Sequence, residues 1–166
     1  MDKSRERLIV IGEDTKALED GLVRVAGLVG YETVVVDGLS VLSEKPDVRI
    51  ADYDLERFAF KPSDSVVVAT HNERDVPLLQ ALSRKGVRFV GFMGDLKRGG
   101  DTIEALRRMG VVQSFLDSIH TPVGVDIGSV SPEEISVSIV AELIALKHGR
   151  HLPHKGEGRA ERERGV

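Results

Sequence analysis

The 166-residue chain has no cysteine and no tryptophan, and its aromatics are two tyrosines and five phenylalanines. Without cysteine, disulfides, thiolate metal sites and cysteine nucleophiles are excluded together. No apolar run approaches the roughly 18–20 residues of a membrane-spanning helix. The opening "MDKSRERLIV" is charged but leads into no long apolar stretch, so a secretory signal is not expected and the cytoplasm is the expected location. There is no excess of basic residues either. Lys and Arg total 23 against 27 Asp and Glu, a formal charge of −4, which argues against sequence-independent binding of nucleic acid. A G-x-S-x-G elbow is also missing, so a serine triad has no support. What remains is ordinary globular material, 41% hydrophobic and 30% charged, long enough for one α/β domain with a real core.

Strand-like and helical patterns alternate along the chain. "RLIVIG" (7–12) reads as a first strand, followed by a helix over 15–29 with Leu18, Leu22, Val25, Ala26 and Val29 on one face. "ETVVVD" (32–37) is a second strand, apolar enough to be buried on both faces, as parallel strands are, and "SVVVATH" (65–71) and "VRFVGFMG" (87–94) read as a third and a fourth. A short strand at 48–51, a helix over 73–85 and a short last strand at 123–128 complete the reading. The final helix carries the clearest punctuation: Ser131 as N-cap, Pro132 at the first position, Glu134 at capping-box spacing and Gly149 as a stop. This alternation predicts a doubly wound, mostly parallel sheet, a Rossmann-like three-layer αβα domain over 1–149, followed by a mobile charged tail over 150–166. No internal repeat is present.

In such sheets ligands bind beyond the carboxyl ends of the strands, where the strand order reverses. The rule selects Gly12, Asp37, Thr70, His71, Gly94 and Asp95. The turn after the first strand is unusual. A G-x-G-x-x-G fingerprint begun at Gly12 needs glycine at 14 and a small residue at 17, and the chain has Asp14 and Ala17. A carboxylate at 14 brings bulk and like charge to the place a pyrophosphate approaches, and is expected to accept the first-turn amides itself. Asp37 nevertheless ends the second strand where an acidic residue bonds a ribose hydroxyl, so NAD(P) stands as a candidate cofactor that Asp14 disfavours. A plain capped helix on the same scaffold is the competing reading.

Three further stretches hold candidate chemistry. In "THNERDVP" (70–77), His71 is placed to bond a ligand or exchange a proton, or else to bond loop carbonyls while Asn72 or Asp75 caps the next helix. In "GFMGDLKRGG" (91–100), Gly91 and Gly94 open the backbone and Lys97 and Arg98 offer charge for an anion, unless the stretch is a solvated loop. In "HTPVGVDIGSVSPEE" (120–134), Asp126 and Gly128 lie in a loop feeding a helix N-terminus. His148, His151 and His154 sit in a polar context better read as incidental than as a metal site.

"VVVATHNERDVPLLQAL", "FVGFMGDLKR" and "HTPVGVDIGSVSPEEISVSIVAELIA", in this order, resemble the C-terminal Rossmann domain of the XdhC/CoxI family, over about residues 7–148. That family comprises accessory factors for xanthine dehydrogenase and related molybdenum hydroxylases. The resemblance implies a chaperone-type, non-catalytic role, with molybdenum cofactor as transient ligand and a hydroxylase as client. The matching positions are Thr70 and His71, Gly91 and Gly94, Arg98, and Pro122, Gly124, Asp126, Ile127, Gly128, Glu133 and Glu134. Two departures stand out. The family's first loop reads like G-A-G-H where this chain has Gly12-Glu13-Asp14-Thr15, and Asp95 stands where serine usually follows the glycine pair. Full-length members carry an N-terminal domain, often with a cysteine tied to cofactor handling, so a separate protein is expected to supply that part. The rival expectations are an NAD(P)-dependent oxidoreductase and a degenerate scaffold for protein pairing. Homodimerisation is expected on general grounds.

Overall fold

A computed structural model describes residues 4–38, 40–153 and 155, without the Asn72 side chain. Strands β1 (Arg7–Gly12), β2 (Glu32–Val36), β3 (Val48–Ile50), β4 (Ser65–Ala69), β5 (Phe89–Phe92) and β6 (Ile119–His120) form one sheet in the order β3-β2-β1-β4-β5-β6. Every strand pair is parallel. The chain starts at the centre, works outward through β2 to β3, then returns past β1 to build the other half. Strand order therefore reverses between β1 and β4, the doubly wound arrangement with its ligand crevice at that point.

The strands are apolar throughout because both faces are covered. Leu8 and Val10 of β1, Val35 of β2 and Val67 of β4 pack with helices α1 (Lys16–Leu28) and α5 (Pro132–Lys147) through Leu18, Leu22, Ala26, Ile139 and Leu143. Their alternates Ile9, Ile11, Val34, Val36, Val66 and Val68 face α2 (Asp75–Leu82) and α3 (Leu96–Arg108) through Leu79, Leu82 and Leu106. A short helix α4 (Gln113–Ser118) leads into β6, and single 3-10 turns occupy Leu55–Arg57 and Asn72–Arg74. Helix α5 starts with the anticipated capping box between Ser131 and Glu134. No helix among the described residues is long and apolar enough to cross a membrane.

Two elements differ from the sequence expectation. The last strand is Ile119–His120, not 123–128, where the chain instead turns through Gly124 at φ 106° and Gly128 at φ 72°. Edge pairing with β5 decides this: Val90 and Gly91 take Ile119 and His120 as partners. Lys97 and Arg98 sit not in a loop but in the first turn of α3, which Asp95 caps by accepting the Arg98 N–H at 2.8 Å. Glycines disguised this helix in the sequence. A Cβ on Gly99 would lie 2.6 Å from Thr121 Oγ1, so close approach of α3 to the chain after β6 requires glycine there. Of the tail anticipated over 150–166, residues 154 and 156–166 lie outside the described residues.

Candidate functional site

At the carboxyl ends of β1, β4 and β5 lies a crevice of about 350 Å³, lined by Thr15, Thr70, His71, Gly94, Arg98 and Lys155 among others. It occupies the switch point. The strand ends that build it are held by a buried polar network. Asp75, 2% exposed at the start of α2, accepts the Thr70 hydroxyl at 2.7 Å and pairs with the Arg98 guanidinium. Arg98 also donates to the carbonyls of Thr70 and Met93, and lies over the Phe92 ring at 5.1 Å. One side chain from α3 thus ties together the ends of β4 and β5 and the start of α2. Thr70 is a positioning group, because its hydroxyl is committed to Asp75. His71 is exposed at the crevice edge.

The first turn of α1 opens onto the same crevice through Thr15 and Leu18. No side chain caps this helix. Asp14, expected to fill that role, is exposed and adopts φ 54°. The carboxyl group that enters the turn belongs to Glu19, one helical turn further on and fully buried. A Cβ on Gly12 would lie 2.4 Å from Glu19 Cδ, so glycine at 12 makes room for a carboxyl of the chain's own. Burial pushes the Glu19 pKa up to about 8, reinforced by a hydrogen bond and charge from Asp37, while the Thr15 hydroxyl and Arg49 pull the other way. Asp37, 2% exposed, lies beside Glu19 beneath the turn, where its charge disfavours the ionised form of Glu19, and accepts the Ser40 N–H at 3.0 Å.

The remaining candidates are placed for packing. A Cβ on Gly91 would meet Val123 Cγ2 at 2.4 Å, so this glycine lets the chain after β6 close over β5. Asp126 and Gly128 are exposed in the 123–128 turn and do not line the crevice, although the Asp126 charge acts on Lys155, which does. Lys97 points away and pairs with Asp101. The structure therefore brings together Thr70, His71, Gly94 and Arg98, and leaves Gly12, Asp37, Gly91, Asp126 and Gly128 around or beneath them. Glu142 was not anticipated from the sequence. From α5 it accepts the Gly124 N–H at 2.7 Å and pairs with His120, fixing the turn whose start, Pro122 and Val123, forms one wall of the crevice. Among the described residues, no three His, Asp or Glu side chains converge as metal ligands.

A doubly wound parallel sheet with its crevice at the switch point between β1 and β4 defines a Rossmann-like domain. Residues 8–143 match the XdhC Rossmann domain, and the chain belongs to that family. It is 30% identical over 152 residues to a probable xanthine dehydrogenase subunit of Bacillus subtilis, covering 86% of this chain and 43% of that protein. An uncharacterized protein of Escherichia coli K12, YqeB, is 26% identical over 153 residues, 87% of this chain and 28% of its own length. Among solved structures, a xanthine dehydrogenase from Bacillus halodurans superposes with a TM-score of 0.75 at 32% identity, covering 87% of this chain and 45% of that one. The chain spans less than half the length of each of these relatives.

Proposed function

We propose that this domain serves the maturation of a molybdenum hydroxylase of the xanthine or carbon monoxide dehydrogenase type, and that its crevice receives the phosphate-bearing end of the molybdenum cofactor. The observation that carries this reading is the crevice itself: it lies at the switch point, faces an α1 N-terminus that no side chain caps, and is edged by Arg98 and Lys155. Amides at a helix start and nearby cations are the donor set that a phosphate group takes. The donors therefore fit. Backbone amides of the α1 turn and Lys155 would hold the phosphate, Arg98, paired with Asp75, would set the strand ends around it, and His71 would meet the exposed part of the ligand. When bound, the cofactor would supply the redox chemistry that the client later performs, and this chain would hold its phosphate-bearing end. With no cysteine among its 166 residues, this domain offers no thiol of its own to carry sulfur. The names of the relatives support an association with xanthine dehydrogenase.

The strand order also favours a second reading, a dinucleotide such as NAD(P). Against it, Glu19 fills the space beside Gly12, and Asp37 is buried against Glu19 where a ribose acid would have to face the ligand. Titration calorimetry with molybdopterin, its nucleotide forms and NADH separates the readings. The cofactor is expected to bind at micromolar affinity or better. Gly94→Asp, which sets a carboxylate beside Arg98, should weaken binding at least about tenfold, roughly the worth of one charge-assisted contact. Tight NADH binding with no cofactor binding would replace the proposal with the dinucleotide reading.

A further inference from the structure

A second, larger cavity of about 640 Å³ opens on the other side of the β1 and β4 turns and shares only His71 with the crevice above. Its inner walls are apolar: Leu55 and Leu78 are 3% and 5% exposed, joined by Pro77 and Ala81. Tyr53 and Arg74 form one side, with the guanidinium stacked over the phenol ring at 4.2 Å. Tyr53 is fixed there because its hydroxyl donates to the Gly12 carbonyl at 2.6 Å.

At the neck between the two cavities stands Glu13. One of its carboxylate oxygens accepts the His71 backbone N–H at 3.3 Å, and the other accepts Arg74 Nε at 3.2 Å. A main-chain amide and a guanidinium converging on two oxygens is the donor arrangement that recognises a phosphate. Glu13 and Arg74 are 30% and 46% exposed, so this carboxylate is held at a surface where a stronger anion can displace it. Glu13 occupies the position a ligand oxyanion would take.

We propose that the larger cavity is a binding site for a nucleoside monophosphate, with its phosphate on the His71 amide and Arg74 and Glu13 as the displaceable stand-in. The base enters between the Arg74–Tyr53 stack and the apolar wall of Leu55 and Leu78. Guanidinium planes stack on nucleobases as readily as on tyrosine, which gives the ring a partner. Asp54 and Glu73 at the mouth are acceptors for ribose hydroxyls or exocyclic amines. The site shares only His71 with the crevice assigned to the cofactor, and uses its main-chain amide, so it can be tested with cofactor and client both absent.

Calorimetry with AMP, adenosine and inorganic phosphate, paired with amide NMR spectra, tests the site. Glu13→Gln should bind AMP at least tenfold more tightly than the wild type, and Arg74→Gln at least tenfold more weakly. Arg74→Lys should recover little, since lysine restores charge but no stack. The His71 amide resonance should shift on adding AMP. Adenosine and phosphate alone should each bind at least tenfold more weakly than AMP. The proposal is overturned if Glu13→Gln leaves AMP affinity unchanged, if adenosine or phosphate alone binds as well as AMP, or if AMP shifts the α1 first-turn amides and leaves His71 in place.

Discussion

Between pH 5.5 and 8 the wild-type protein is expected to lose about 2–3 kcal/mol of stability relative to Glu19→Gln, from a shift of this size in one buried carboxyl. Glu19 is fully buried against Gly12, and its pKa stands at about 8 against an ordinary value of 4.5, first because burial disfavours the charge and then because Asp37 lies beside it. The folded state keeps this proton across the window while the unfolded chain has released it. Stability linked to Glu19 is therefore complete below the unfolded pKa, falls as pH rises towards 8, and levels off once both states are ionised. Glutamine retains the shape of the protonated acid and has no proton to lose. Urea unfolding of both proteins at several pH values reads the effect directly. Parallel stability profiles would show that Glu19 is already ionised in the folded protein at neutral pH.

Removing Arg98 is expected to cost about 3 kcal/mol, at the lower edge of what breaking a buried ion pair costs. Asp75 is nearly inaccessible, with its side chain 3% exposed, and without Arg98 its charge keeps only the Thr70 hydroxyl. Arg98 is itself 31% exposed, so water softens the loss on its side. The double variant Arg98→Met/Asp75→Asn should then be more stable than Arg98→Met alone, because the stranded charge has gone. That recovery is the mark of a pair whose two members compensate each other. If the double variant is instead as unstable as the two single losses added together, Arg98 acts through its carbonyl contacts with Thr70 and Met93, not through the charge of Asp75. The same network sets the position of the Thr70–His71 turn, so cofactor affinity should fall together with stability in Arg98→Met.

Much of this architecture can be read from the chain because its strands are uninterrupted apolar runs between well-marked turns. The limits of β1 agree to the residue with the expectation, and α5 follows from Ser131, Pro132 and Glu134. Helix α3 was hidden because Gly99 and Gly100 weaken the helical pattern, and the need for Gly99 lies in Thr121, which is distant in sequence. The site shows the same division. Thr70, His71, Gly94 and Arg98 follow from the rule that ligands meet strand ends, which depends only on strand positions. Asp75, Glu19 and Glu142 depend on partners brought close by the fold: Arg98, Asp37 and His120. For Glu19 a signal was present. It falls on the stripe of Leu22, Val23 and Ala26 at i+3, i+4 and i+7, so a carboxyl in that position had to be buried. Asp14 drew attention because it breaks the glycine fingerprint, yet its side chain faces solvent.

Glu19 also bears on the proposed anion site, because its carboxyl lies beside Gly12 in the turn that replaces the family's glycine-rich loop. While Glu19 holds its proton, the carboxyl beneath Gly12 is neutral and does not repel a phosphate above it. If the crevice takes a phosphate as proposed, its affinity is expected to weaken as pH rises towards 8 and Glu19 loses its proton. The most direct test of the proposed role is reconstitution: cofactor-free xanthine dehydrogenase mixed with molybdenum cofactor, with or without this domain, and assayed for hydroxylase activity. The account predicts that the wild-type domain raises recovered activity well above that obtained with free cofactor, and that Gly94→Asp does not. Equal recovery with the wild-type domain, with Gly94→Asp and with no domain would contradict it.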